Sequence, residues 1–506
     1  MRNSVLPWFV LLLAVLDTPA RAMTITRLFS FGSSSGWRPD APLLEASDGN
    51  FYGTTSQGGD DGNNCAATCV GTVFKLTPQG QFTLLHVFTG AGTPTFADGS
   101  TPKGGLVEGP DGWLYGTTYS GGAPFHSYGI VYKISKTGVF QKIHDFCPTS
   151  PCPDGANPVG NLAWGSDGNL YGTTTAPLIK PYIFRISPSG SYAAIAHFQD
   201  NPLGAPANGL LRASDGNLYG VARNGVFRVS SSGVIAPVYF FGTIAQDGSN
   251  GQGPLFQGTD GNLYGATLQG GANNNGTVFK ISTSGAYAKI FDIVVATEGL
   301  YSNAVCQTPD THLWGTTSNN SPAGGGGAVY SISTSGALQE ASFLNTTTGF
   351  TSIASLIQAS DGKLYGTSTA GGQFSSGTVF VVDGALPAPV PGEASPSGSM
   401  RVAAHDKGTG DITLTYDAAC FATDHHVVYG PLASVATYAY SGQSCNLAET
   451  GIATFNPGVG SFFWVVVGNT ATLEGSYGRR SGGIERPSAS GLPGCEYAQD
   501  LSAACP

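Results

Sequence analysis

The sequence predicts an all-β chain: a seven-bladed β-propeller closed by its own N-terminal strand and followed by a small C-terminal β-sandwich. Three observations carry that expectation. An aromatic-Gly phrase returns seven times, its aromatic falling at Tyr52, Tyr115, Tyr171, Tyr219, Tyr264, Trp314 and Tyr365, with spacings from 45 (Tyr219 to Tyr264) to 63 residues (Tyr52 to Tyr115). The composition is that of a turn-rich β protein, with 74 Gly and 31 Pro among 506 residues and only 11% charged. Finally, the last repeat lacks a fourth strand, while an unassigned strand-like run precedes the first.

In chain order, residues 1–22 read as a secretory signal: Arg2, a largely apolar run over 5–16, and a small-x-small cleavage site at Ala20-Arg21-Ala22. The run is too short for a comfortable membrane span, and no later stretch is apolar enough for one. A soluble secreted protein, extracellular or periplasmic, is expected.

The propeller is expected over 23–385. The fifth copy shows the unit most clearly, with strands over 254–257, 262–267, 277–282 and 286–293. Asp260-Gly261 and Ser284-Gly285 make its hairpin turns, and a Gly/Asn loop covers 269–276. Gly accepts the positive φ of such turns, and four short antiparallel strands make one blade. The seventh copy stops after its third strand, 378–382. Residues 24–31 match the fourth strands at 83–88, 141–146 and 193–198, so the N-terminus is expected to complete blade seven and remove an open sheet edge.

The recurring pattern, as in residues 356–368 and 276–285, resembles the Gloeo/Verruco (GloVer) tandem repeat of secreted bacterial proteins over roughly residues 24–385. The resemblance implies an exported propeller and brings no catalytic residues with it. The fourth copy departs from it by a loop shortened to Ala222-Arg223-Asn224-Gly225, and the third by Pro177, Lys180 and Pro181 in place of the Gly-Gly pair. A Pro-rich linker over 386–398 follows. Residues 399–487 alternate strand-like runs with turns, and the stretches 411–420, 425–432, 462–469 and 475–487 resemble a fibronectin type III-like module of exported bacterial proteins. Residues 488–506 are expected to form a disulfide-pinned tail.

Nine cysteines suit an oxidising compartment. The expected pairs are Cys65/Cys69, Cys147/Cys152, Cys420/Cys445 and Cys495/Cys505, leaving Cys306 at a position that is Leu, Val or Ile in other copies and so reads as a buried thiol. The net charge of −10 offers no basic surface for nucleic acid. An acidic polymer would need a local site.

Alternate connections of a blade emerge on opposite faces. Here the tight turns are uniform, whereas the other face carries long loops at 57–71, 89–105, 120–129, 147–160 and 242–253, where binding is expected. The turn aspartates (Asp48, Asp111, Asp167, Asp215, Asp260, Asp310, Asp361) read as turn-forming residues rather than calcium ligands, because one carboxylate per turn supplies too few oxygens. The repeated aromatics read as inter-blade packing. His86, His144 and His197 are taken to share one fourth-strand position with Phe29, Tyr239 and Phe291, again packing.

Two departures from the repeat are candidate sites. His126 and Tyr128 share a loop and form the candidate catalytic pair, since such a pair can serve general acid/base chemistry. Trp164 and Arg212 interrupt the series Glu45, Glu108, Gln257, Gln307, Gln358, and with Lys180, Tyr182 and Arg223 they are expected to make one positive, ligand-binding depression over blades three and four. No metal or cofactor motif is present, and His425-His426 reads as a strand end. The function expected is a monomeric binding or scaffold protein that presents loops to an extracellular glycan or protein. The alternative is a polysaccharide lyase or hydrolase on the same face.

Overall fold

The computed structural model describes residues 23–383, apart from loop segments at 60–69, 90–97, 123–127, 150–151, 176–179, 199–200, 231–232, 309–310 and 320–325. Beyond residue 400 it describes the backbone of eight strands. The signal segment, the Pro-rich linker, His126, Cys65, Cys69, Cys420, Cys445, Cys495 and Cys505 lie outside the described residues.

Seven four-stranded antiparallel sheets follow one another along the first unit of the chain, as a seven-bladed propeller requires. Blade one comprises Leu44–Glu45, Phe51–Thr55, Thr72–Leu76 and Phe82–Val87. Blade seven is completed from the other end of the chain: Thr24–Ser30 pairs antiparallel with Thr378–Asp383, from Thr24↔Asp383 to Ser30↔Thr378. The closing strand also carries a bulge, between Arg27 and Phe29, where it crosses Val379 and Phe380. Blades one to five have the same irregularity opposite the corresponding step from a β-branched residue to an aromatic one, for example between Val73 and Phe74 or Ile183 and Phe184. Residues 24–30 are thus a fourth strand in detail as well as in place.

The aromatic-Gly phrase is the second strand, and it is wholly buried in blades one to five and seven. Its glycine is required sterically. A Cβ there would come within 2.4–2.6 Å of the third-strand aromatic in every blade (Phe74, Tyr132, Phe184, Phe227, Phe279, Tyr330, Phe380). The ring of each third strand therefore lies across bare backbone. The preceding tyrosine is buried and reaches back to the turn: the hydroxyls of Tyr52, Tyr171, Tyr219 and Tyr264 donate to Asp48, Asp167, Asp215 and Asp260 at 2.7–2.9 Å. The same aspartates accept the turn N–H two residues on, as expected of a self-satisfied turn.

Two further devices join one blade to the next. At the hairpin end, Glu108, Gln257 and Gln307 accept the backbone N–H of Ser47, Ser214 and Thr259 from the preceding blade's turn. At the outer edge, rings stack across the boundary: Phe29 on Phe82, His86 on Phe140, His144 on Tyr192 and Tyr239 on Tyr287, with planes 4–5° apart. Each such pair contributes about 0.5–1.5 kcal/mol beyond the area it buries. The polar tips of His86, His144 and Tyr239 meet Asp98, Asp154 and Asp247 at 2.7–3.1 Å.

Two expectations need correction. His197 does not share the position of His86 and His144; it pairs with Tyr182, one residue further along, is exposed, and leaves Ala196 in the stacking column. The reason is spacing: His86 and His144 stand two residues before Phe88 and Phe146, whereas His197 stands one residue before Phe198. In blade five the first two strands run to Gly248–Gln257 and Leu263–Gly270, so much of the loop expected at 242–253 is strand. Within the tail, Ala498–Gln499 pairs parallel with Leu473–Glu474.

The second unit contains a three-stranded sheet (Arg401–His405, Ile412–Thr415, Ile452–Phe455) and a five-stranded one centred on Asp424–Pro431 and Phe462–Asn469. Cys147 and Cys152 form a disulfide, and Cys306 is a free thiol, 8% exposed, in the core between blades six and seven.

Candidate functional site

The strand register sorts the sequence-predicted residues by face. Arg212 pairs with Leu218 at the turn end of its hairpin, and Arg223 follows Ala222 at the far end of the same five-residue strand. At about 3.4 Å per residue, a strand length separates them. Trp164 likewise pairs with Leu170 at the turn end, while Tyr182 opens the third strand at the opposite end. The single positive depression expected over blades three and four is therefore not formed. Trp164 instead continues the inter-blade joint, its Nε1 donating to the Glu108 carbonyl at 2.9 Å and its ring meeting Tyr115 edge-on at 5.5 Å. Arg212 is exposed on the hairpin face. Lys180, Tyr182 and Arg223 remain on the long-loop face. Tyr128 is half-buried, its carbonyl accepting from Asn157 at 2.7 Å, and its expected partner His126 lies outside the described residues.

The long-loop face carries a cluster that sequence reasoning missed. Blade one enters through Trp37, Arg38, Pro39 and Asp40, and blade two through Pro102 and Lys103. The backbone here is fixed: Arg38 N donates to Ser376 O at 3.0 Å, and Arg38 O accepts from Ser56 N at 2.9 Å. Asp40 turns inward with a side chain 9% exposed, and Arg38 Nε lies 3.6 Å from its Oδ1. Lys103 Nζ sits 3.9 Å above the Tyr119 ring, a cation–π contact. Burial pushes the Asp40 carboxyl above the ordinary aspartate range, outweighing Ser56, Arg38 and Lys103, which pull it down.

Beside this cluster runs a groove lined by Gly32, Ser33, Ser34, Trp37, Phe374 and Ser376. Trp37 and Phe374 stand out as large aromatics left 41% and 58% exposed. Groove and cluster are contiguous, because Ser376 lines the first and accepts the Arg38 N–H of the second. A signal for the cluster exists in the sequence. Three residues ahead of the Leu or Val that anchors each first strand, the copies read Asp40, Lys103, Val159, Ala207, Gln252, Ser302 and Ile353, with charge only in the first two.

Among the described residues, no group of three or more His, Cys, Asp and Glu is placed to hold a metal ion, and no helix is long and apolar enough to cross a membrane.

Comparison with known proteins gives the following. None of the curated proteins matches the sequence. Among solved structures, the extracellular domain of a hybrid two-component system from B. thetaiotaomicron is similar at 11% identity and TM-score 0.44, covering 89% of this chain and 55% of its own. PorZ, a surface component of the type-IX secretion system of Porphyromonas gingivalis, is similar at 12% identity and TM-score 0.47, covering 88% of this chain and 58% of its own. A gluconolactonase from Xanthomonas campestris is similar at 13% identity and TM-score 0.37, covering 73% of this chain and 92% of its own. This chain thus spans little more than half the length of the first two. The model of the Gloeobacter/Verrucomicrobia repeat matches residues 15–178 and 179–380, so that its two tandem matches take in all seven blades. The chain is a member of the Gloeobacter/Verrucomicrobia repeat family.

Proposed function

We infer that this protein is a secreted, monomeric binding module that holds an extracellular glycan or protein against the long-loop face of its propeller. One observation carries the reading: the two faces are built for different purposes. The hairpin face consists of short turns whose aspartates are satisfied by their own backbone and tyrosines. The opposite face bears the exposed pair Trp37 and Phe374 and the charges of Arg38 and Lys103. Exposed aromatics beside polar groups on a rigid scaffold are the usual makings of a recognition surface. The C-terminal sheets fit a fibronectin type III-like module acting as a spacer or second contact.

The test is binding of the purified protein to immobilised neutral and acidic polysaccharides and to surface proteins, alongside Trp37→Ala, Phe374→Ala and Arg212→Ala. Binding lost in the first two and kept in the third supports the reading. Binding that depends on Arg212 and ignores Trp37 and Phe374 overturns the assignment of face. Release of unsaturated or reducing sugar ends would replace a binding module with a polysaccharide-cleaving enzyme.

A further inference from the structure

A groove follows the joint where the closing strand meets blade one. Its larger part, about 620 Å³, is lined by Arg27, Phe29, Ser30, Phe82, Leu84 and Phe374, among others. Gly32, Ser34 and Phe374 also line the groove beside Trp37, so the two are continuous. The volume is that of a small-ligand site, for which about 300–1,000 Å³ is usual. Phe374 is held from one side: a Cβ on Gly32 would lie 3.1 Å from its Cδ2, so the ring rests on bare backbone, yet 58% of the residue stays exposed.

Arg27 is the lone charged residue among the described ones along both parts of the groove. Two other blades show what it lacks. Lys142 pairs with Tyr132 and Lys289 with Phe279 in the ladder, the place that Arg27 holds opposite Phe380. Three residues on, Asp145 and Asp292 neutralise those lysines at 2.8 Å. The closing strand has Ser30 there, opposite Thr378 as Asp292 is opposite Thr277. Arg27 thus keeps the cation and loses the acid; it is exposed and makes no ion pair among the described residues. Ser30 Oγ still accepts the Gln373 N–H at 3.1 Å, as Asp292 accepts that of Ala272 at 3.0 Å.

An unmatched cation in a groove without acids, on a chain of net charge −10, calls for an anionic group. The guanidinium fork fits the two coplanar oxygens of a carboxylate. Arg27 stands three residues from Ser30, roughly 10 Å of strand, and Phe374 lies at the Ser30 end. A ligand that meets both is longer than a single sugar ring. Along that span the exposed rings of Phe374 and Trp37 suit the C–H faces of sugars, and Ser33, Ser34 and Ser376 suit their hydroxyls. The side chains of an extended peptide would instead want enclosed pockets. Resting on the binding reading above, we propose that this groove binds a carboxylated sugar chain. One carboxylate accepts from Arg27, and a sugar further along the chain stacks on Phe374.

The experiment is calorimetric titration of the purified full chain with oligogalacturonate and with hyaluronate oligosaccharide, each also tested after its carboxyls have been reduced to primary alcohols. At least one acidic form is expected to bind, and its reduced form at least about tenfold more weakly. Arg27→Ala should weaken the acidic form about tenfold and leave the reduced form unchanged, whereas Phe374→Ala should weaken both. Ser30→Asp is the sharper variant, because it supplies Arg27 with the acid that blades two and five carry and touches no ring of the groove. It should melt with the parent, since Asp292 already makes the same backbone contact in blade five, and lose as much acidic affinity as Arg27→Ala. Equal binding of acidic and reduced forms, or full affinity in Ser30→Asp, overturns the carboxylate site while leaving a glycan-binding module in place. No binding by either acidic form also overturns it, and the binding reading then stands or falls on the neutral glycans and proteins of the earlier test.

Discussion

Replacing Gly265 by alanine tests why the repeated phrase needs its glycine. The added methyl would lie 2.5 Å from Phe279 Cζ and 2.8 Å from Leu255 Cδ2, against about 3.5–4.0 Å for carbon atoms in contact. One of them must retreat by roughly 1 Å. Phe279 has nowhere to go: it is 0% exposed, with the rings of Phe241 and Tyr287 each 5.5 Å from its own. Overpacking of this kind costs about 1–3 kcal/mol, which in a domain of this size is a fall in Tm of roughly 1–4 °C. The same alanine introduced into a Phe279→Leu background should cost less, because the shorter side chain leaves space for it; a coupling of at least about 1 kcal/mol in the rescuing direction is expected. Thermal melts of the four proteins at one scan rate give the answer. A Gly265→Ala protein that melts with its parent, or two substitutions that simply add, would falsify the claim that the ring lying across the backbone dictates the glycine.

Deleting residues 24–31 should yield aggregated or unfolded protein, since it removes the buried Phe31, the Phe29–Phe82 stack and the ladder that closes blade seven; a soluble monomer with unchanged melting contradicts this. Acid should destabilise the turns: burial raises the Asp48, Asp167, Asp215 and Asp260 carboxyls, but hydrogen bonds from the turn and the tyrosines outweigh it and hold them below 3.8. Their contribution is therefore complete above the unfolded value and lost as pH falls below about 4, so Asp215→Asn should show a shallower decline of Tm below that pH than the parent, and equal slopes would count against it. Burial pushes the Cys306 thiol up to about 12, so iodoacetamide at pH 8 should leave the Cys306 peptide unmodified in native protein and label it after unfolding, as read by mass spectrometry.

The fold was legible because the features that specify it repeat. Turn, tyrosine, glycine and third-strand ring occur in nearly every copy, and the stray strand at 24–30 was recognisable by likeness to three of its counterparts. Exact register within a strand was less secure: His197 stands one residue before Phe198 where His86 and His144 stand two before Phe88 and Phe146, and that single residue turns its side chain to the other face. The candidate site was harder for the opposite reason. Departures from the repeat drew attention to Trp164, Arg212 and Arg223, but grouping them overlooked that Trp164 and Arg212 stand before tight turns while Arg223 lies in the connection after the second strand, and the register puts the first two opposite the third. The Arg38, Asp40 and Lys103 cluster depends on two adjacent copies being read together.

The closing strand has a mechanical corollary. Thr24, where it begins, is paired with Asp383, where the seventh blade's third strand ends. The two points at which the chain enters and leaves the ring are thus partners in a single rung. Tension applied between them does not load the ladder in shear. It falls on the first pair of hydrogen bonds, then on the next, and peels the strand away one rung at a time toward Ser30 and Thr378. A pull across these two residues should therefore open the ring at low force, while the six blades formed from continuous sequence keep their own sheets.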